Sequence, residues 1–221
     1  YYQFPANVEM RWVKGDAGLG GWLGDLLHVW NVGRAIPPCD VILATSWQSV
    51  CPALIGKLRA RRGRIVYLVQ HLDSIINAQR SGLLRWRNAL VYNLIYRLPV
   101  QKLVVSSWLQ RMLAERYQQD SICVPNGVEG QAFTAGGEPH WQPPMDRYAI
   151  LCTGRAAPWK GLADVLQAVR LLYAEDARVR LIVATHEKLD LPADLPITVV
   201  HPEDDAHLGR LYQSCSVFVL A

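Results

Sequence analysis

Apolar residues along this chain fall into short continuous runs that alternate with longer stretches in which they recur every three or four positions. The first kind suits strands covered on both faces of a sheet, and the second suits amphipathic helices. The alternation predicts a strand over residues 41–45, a helix over 50–62, a strand over 65–70, a helix over 83–98, a strand over 103–105, a helix over 108–117 and a strand over 122–124. Ahead of it, residues 8–13 read as a strand and 20–32 as a helix whose start is blurred by glycines. Residues 134–147 carry the densest Gly and Pro content and no periodicity, which marks a linker. A second alternation follows, with strands over 148–153, 179–184, 197–200 and 217–220 and helices over 161–174 and 205–214. Leu162, Val165, Leu166, Val169 and Leu172 share one face of the first of these helices.

Strand and helix alternating in both halves predict an α/β protein built from two Rossmann-like, doubly wound parallel sheets. The expected boundaries are a first domain over 1–134, a linker over 135–147 and a second domain over 148–221.

A hydrophobic content of 51% excludes a disordered chain. No apolar stretch reaches the roughly twenty residues of a spanning helix before Arg, Gln or Pro interrupts it. Cys39, Cys51, Cys123, Cys152 and Cys215 form no C-x-x-C pair and lie mostly in or beside apolar runs. They read as buried thiols in a reducing compartment, so a cytoplasmic location is expected. Charge is unevenly placed: residues 41–114 hold eleven Lys or Arg against one acid, Asp73, whereas residues 115–221 hold nine against fourteen. The first half therefore faces something anionic, for which membrane lipid, a phosphorylated acceptor and nucleic acid all qualify. The basic tracts 57–64 and 80–102 interleave cations with Trp86, Tyr92 and Tyr96, which points to a peripheral contact with the inner face of a membrane; solvated helix faces explain much of the same pattern. No nucleic-acid-binding module is visible.

Chemistry concentrates in Gly154-Arg155-Ala156-Ala157-Pro158-Trp159-Lys160-Gly161, between a predicted strand and a predicted helix. Arg155 and Lys160 in a glycine-bounded loop before a helix N-terminus can converge two positive charges on a diphosphate. Two surface cations in a solvated loop are the alternative. Gly154 and Gly161 would let backbone and phosphate approach closely, and Pro158 would stiffen the loop. Upstream, Val124-Pro125-Asn126-Gly127-Val128-Glu129 leaves a short apolar run, and Asn126-Gly127 favours a left-handed turn. His71 ends the strand over 65–70, where ligand-facing residues of open α/β sheets lie, with Asp73 close behind.

In this order, the Val124–Glu129 segment and the Gly154–Gly161 loop resemble the family 4 glycosyltransferases, which have the two-domain GT-B architecture. The resemblance implies an enzyme that transfers a sugar from a nucleotide-diphosphate donor to a glycan or lipid-linked acceptor with retention of configuration. The donor is a substrate, and no separate cofactor is implied. Arg155 and Lys160 would hold the diphosphate, His71 would contact the donor sugar, and the cleft between domains would receive the acceptor. For His71, a satisfied structural role is the alternative. Asn126 and Gly127 would border the site, touching ligand or only setting its geometry. Pro202 falls in the loop expected near the nucleobase, although His201-Pro202-Glu203-Asp204-Asp205 replaces the family's glycine-containing loop, and Ala184-Thr185-His186-Glu187 replaces its glycines after the preceding strand.

By the same resemblance, the family's first strands and its later pair of glutamates have no counterpart here, so the chain is expected to be an internal, inactive piece of a longer enzyme. A nucleotide-sugar epimerase of the same architecture and a non-catalytic sugar-binding relative are the competing readings. The scarcity of acids in 41–114 weighs against the epimerase. No D-x-D triplet or clustered metal-ligand spacing is present, so metal-independent chemistry is expected. Gly18 to Gly24 is spaced wrongly for a dinucleotide fingerprint and reads as a loop.

Overall fold

A computed structural model describes residues 7–13, 22–73, 82–134 and 147–220. The chain divides into two compact units, one extending to Asn126 and the other beginning at Gly127. The linker expected over 135–147 lies outside the described residues apart from Arg147, as does the glycine run up to residue 21.

The first unit opens with α1 (Trp22–Ala35), which packs on α2 (Trp47–Ala60). Strands β1 (Val41–Ala44), β2 (Arg64–Val69), β3 (Gln101–Val104) and β4 (Ile122–Cys123) form a parallel sheet in the order β1-β2-β3-β4. Helices α2, α3 (Gly82–Arg97) and α4 (Ser107–Tyr117) connect them. Strands that step in one direction through right-handed crossovers place all their helices on one face. Accordingly, Val50 and Ala53 of α2, Tyr92, Ile95 and Tyr96 of α3, and Leu109 and Leu113 of α4 form one core with Ile65, Tyr67, Val69 and Val104. On the opposite face Val41, Leu43 and Ile122 remain about half exposed.

Local chemistry sets the helix ends. Ser46 and Ser49 form a reciprocal cap, with Ser46 N donating to Ser49 Oγ at 3.1 Å and Ser49 Oγ donating to Ser46 O at 2.7 Å. This starts α2 at Trp47, three residues before the apolar periodicity begins. Ser106 caps α4 by accepting from Leu109 N at 3.2 Å, and Gln118 closes it in the left-handed region at φ 50°.

The second unit contains β5 (Tyr148–Thr153), α5 (Leu162–Glu175), β6 (Val179–Ala184), β7 (Ile197–Val200), α6 (Asp205–Gln213) and β8 (Val217–Val219). Its parallel sheet runs β7-β6-β5-β8, so the strand order reverses at β5. The reversal separates the helices. Val165 and Val169 of α5 pack with Ile150, Cys152, Leu181 and Val183, whereas Leu211 of α6 packs on the other face with Ala149, Leu151, Ile182 and Ala184.

Several expectations are corrected. Residues 8–13 form no strand; they have no ladder partner, and within them Arg11 Nε donates to Glu9 Oε1 at 2.7 Å. Trp22 to Gly24, read as loop, lie within α1. Two of the three aromatics assigned to a membrane face are core residues: Tyr92 stands edge-on to Trp47 at 5.1 Å between ring centroids, and Tyr96 stacks on Tyr67 at 6.1 Å. The helical period turns residues 92 and 96 inward and leaves Trp86, Leu90 and Leu94 outward, at 78%, 73% and 67% exposure. Lys102, counted among the surface cations, is buried. Its Nζ donates to Leu98 O at 2.8 Å, Val100 O at 3.2 Å and Gln119 Oε1 at 2.8 Å, and burial lowers its pKa. All five cysteines are thiols, but of the five expected to be buried only Cys152 is; Cys39, Cys123 and Cys215 are half-buried and Cys51 is exposed. Among the described residues no helix is long and apolar enough to cross a membrane.

Candidate functional site

The loop that leaves β5 begins at Gly154, whose N–H extends the sheet by donating to Ala184 O at 2.9 Å. A Cβ at this position would collide with Val183 Cγ1 and lie 2.7 Å from Leu189 Cδ1. The packing beneath the loop therefore requires glycine here. Pro158 opens a single turn of 3-10 helix, Pro158–Lys160, and Gly161 closes it at φ 69° while starting α5. That left-handed φ is the reason for glycine at 161. The carbonyl of Gly161 accepts from Asp164 N at 3.0 Å and from Val165 N at 3.1 Å, which fixes the loop to the helix.

Arg155 is already engaged. Its Nη1 donates to Glu187 Oε1 at 3.2 Å, and the neighbouring Ala156 N–H donates to Glu187 Oε2 at 2.7 Å. These two contacts, the amide first and the guanidinium second, hold the Glu187 carboxyl below the usual carboxylate range. Glu187 is set by the turn after β6. Its N–H donates to Thr185 Oγ1 at 3.0 Å, Thr185 N donates to Val200 O at 3.0 Å, and His201 Nδ1 lies 2.5 Å from Thr185 O.

The carboxyl ends of β5, β6 and β7 surround an open cavity of about 890 Å³. Arg155 and Pro202 meet on its wall with Thr153, Thr185 and His186. Four carboxylates, from Glu129, Glu203, Asp204 and Asp205, share the wall with that one guanidinium. Asp204 is committed to capping α6, where it accepts from His207 N at 2.6 Å. Lys160 is exposed on the 3-10 turn and, like Gly154 and Gly161, is not part of this wall.

Asn126 and Gly127 do not form the expected left-handed turn. Among the described residues the positive-φ positions are Arg61, Gln118, Gly63, Gly82 and Gly161. Val124 N still donates to Val104 O at 2.8 Å, after which residues 125–129 run on without turn or ladder, and a Cβ at Gly127 would meet nothing within 4 Å. Gly127 instead lines a second cavity of about 680 Å³ with Val128, Phe133, Gly209 and Tyr212. The segment after it is strapped to α6. Gln213 Nε2 donates to Thr134 O at 2.7 Å, and Phe133 stands edge-on to Tyr212 at 5.9 Å. A Cβ at Gly209 would strike Ala132 O, so this glycine is the notch that lets the strap lie down.

In the first unit, His71 follows β2 and its Nε2 lies 3.1 Å from Asp73 Oδ1. The hydroxyl of buried Tyr96 donates to Asp73 Oδ2 at 3.0 Å and accepts from Asp73 N at 3.2 Å. That phenol is a donor at neutral pH, and burial moves its pKa further up. His71 is thus a 60% exposed ring anchored through Asp73 to the core. Among the described residues no three His, Cys, Asp or Glu side chains are grouped to hold a metal ion.

Similar proteins were found among solved structures. Sucrose-phosphate synthase from Thermosynechococcus elongatus is 16% identical, with a TM-score of 0.61 over 81% of this chain and 49% of that one. α,α-Trehalose 6-phosphate synthase from Burkholderia multivorans is 12% identical, with a TM-score of 0.61 over 90% of this chain and 56% of that one. A variant of S. aureus TarM in complex with fondaparinux, α-GlcNAc-glycerol and UDP is 9% identical, with a TM-score of 0.52 over 73% of this chain and 31% of that one. What is shared is the GT-B fold. This chain spans about half the length of the two synthases. No protein-family model and no curated protein matches it.

Glu187, Thr185 and Gly209 are the residues whose roles the sequence did not disclose, because each acts through a partner distant along the chain. Gly209→Ala should lift residues 129–134 from α6 and cost about 1–3 kcal/mol. Faster amide exchange confined to that segment and to α6 is the expected readout; unchanged exchange would show that the strap does not need the notch.

Proposed function

We propose that this chain is part of a retaining GT-B glycosyltransferase of the family 4 type, which moves a sugar from a nucleotide-diphosphate donor to a glycan or lipid-linked acceptor. One observation carries the reading. Arg155, in a G-R-x-x-P-x-K-G loop, stands on the wall of a cavity at the carboxyl ends of the strands, at the point where the order β7-β6-β5-β8 reverses. Open α/β sheets bind their ligands at this place.

The chemistry follows from charge. When the bond between the anomeric carbon and the diphosphate breaks, negative charge grows on the leaving oxygen. Fixed cations aimed there stabilise the transition state more than the ground state. Arg155 supplies the planar fork and Lys160 a mobile second charge, so the reading needs neither a metal nor a further cofactor. Pro202, which lines the same cavity, would flank the nucleobase. His71, steadied by Asp73 and Tyr96, would present its outer ring nitrogen to a sugar hydroxyl.

The acceptor side points to an anionic surface. Trp86, Leu90 and Leu94 form an exposed apolar stripe on α3 among Arg87 and Arg97, in the half of the chain with eleven cations against one acid. A peripheral contact with acidic lipid at the inner membrane face fits this combination. Sedimentation with phosphatidylglycerol vesicles but not phosphatidylcholine vesicles is expected, and Trp86→Ala with Leu90→Ser should weaken it; equal binding to both lipids, or to neither, would refute the contact.

Activity is tested on the whole protein with UDP-, GDP- and ADP-sugars and no added metal. Arg155→Ala and Lys160→Ala should each lower transfer by about a hundredfold or more. Full activity in both variants would contradict the phosphate grip, and donor binding without transfer would favour a non-catalytic relative.

A further inference from the structure

Glu187 occupies a seat built for an anion. Its two carboxylate oxygens take one donor each from the loop, the Arg155 guanidinium at 3.2 Å and the Ala156 amide at 2.7 Å. A convergent guanidinium and backbone N–H are the groups that would receive two oxygens of a phosphate. The carboxylate has been brought there by a constructed turn, since Thr185 Oγ1 accepts from Glu187 N while Thr185 itself is buried and tied to β7 through Val200 O. Neither partner is deeply enclosed, with Arg155 58% and Glu187 37% exposed. Exposed pairs of this kind are weak and exchangeable.

We propose that Glu187 is a resident counter-anion of the phosphate grip, an internal competitor that keeps Arg155 and the Ala156 N–H oriented until the donor's diphosphate displaces it. This rests on the reading of Arg155 as a diphosphate ligand and adds a positioning residue to it. With Glu187 in place, any phosphate that takes the seat must first expel the carboxylate. The carboxylate therefore weakens phosphate and pyrophosphate binding by the same factor, and it holds the cation aligned when no donor is bound.

Inorganic pyrophosphate and inorganic phosphate are the probes, because they carry no base or sugar, and their dissociation constants would be measured calorimetrically. Glu187→Gln keeps the shape of the side chain and removes the competing charge. It should tighten pyrophosphate binding about tenfold, the gain expected if the carboxylate fills the seat nine-tenths of the time. It should tighten phosphate binding by the same factor. Adding Arg155→Ala to that variant should abolish the gain. Glu175→Gln removes an exposed acid at the far end of α5 and should leave both constants unchanged, which separates a local seat from a general change in net charge. Circular dichroism of each variant establishes that it is folded. Unchanged or weaker pyrophosphate binding in Glu187→Gln, with binding still lost in Arg155→Ala, would overturn the resident-anion role while leaving the grip in place. Absence of pyrophosphate binding in the wild type and in Glu187→Gln, or indifference of both to Arg155→Ala, would overturn the grip and this inference together.

Discussion

Because β6 and β7 lie on one side of β5 and β8 on the other, the helices that make these crossovers are forced to opposite faces of the sheet. The carboxyl edge of β5 is then left uncovered, since neither helix passes over it. Every feature of the candidate site depends on that gap. Thr153 ends the strand into it, Gly154 keeps the exit low against Val183 and Leu189, and Arg155 turns onto the cavity wall. The first unit lacks such a reversal among its described strands. There the helices share one face, and the residue brought to prominence is His71 at the end of a strand, anchored from the core side by Tyr96 and Asp73.

The electrostatics of the second unit are unlike those of a simple cationic pocket. One guanidinium shares the wall with four carboxylates and is itself paired with a fifth, Glu187. An anionic ligand must meet local positive potential against a negative surround, so affinity rests on short, directed contacts to Arg155 and the loop amides rather than on long-range attraction. Glu203, Asp204 and Asp205 begin α6, where carboxylates complement the helix dipole, and Asp204 is already spent on the cap. Their clustering therefore has a structural cause before any functional one.

The sheets were legible in the sequence because strands covered on both faces leave unbroken apolar runs. The expected strands over 148–153, 179–184 and 197–200 coincide with β5, β6 and β7. Helix starts were less legible where capping reached beyond the apolar pattern, as Ser46 and Ser49 do for α2. Residues 8–13 had the pattern of a strand and no strand to pair with. Asn126-Gly127 had the composition of a left-handed turn, but neither residue takes a positive φ. The loop with Arg155 and Lys160 could be placed from its own residues, whereas its counter-anion could not: Glu187 lies 32 positions from Arg155 and carries no local mark of the contact. The same holds for Tyr96, whose hydroxyl meets Asp73 from 23 positions away.

The central claim is that the carboxyl edge of β5, β6 and β7 is a nucleoside-diphosphate site. It is tested most directly by titrating UDP, GDP and ADP into uniformly labelled protein and following each backbone amide by NMR. The account predicts saturable shifts for at least one nucleotide, concentrated at Gly154 to Gly161, Thr185 to Glu187 and Glu203 to Asp205, with the Ala156 amide moving most as it exchanges a carboxylate for a phosphate. Shifts centred elsewhere in the chain, or none with any of the three, would contradict it.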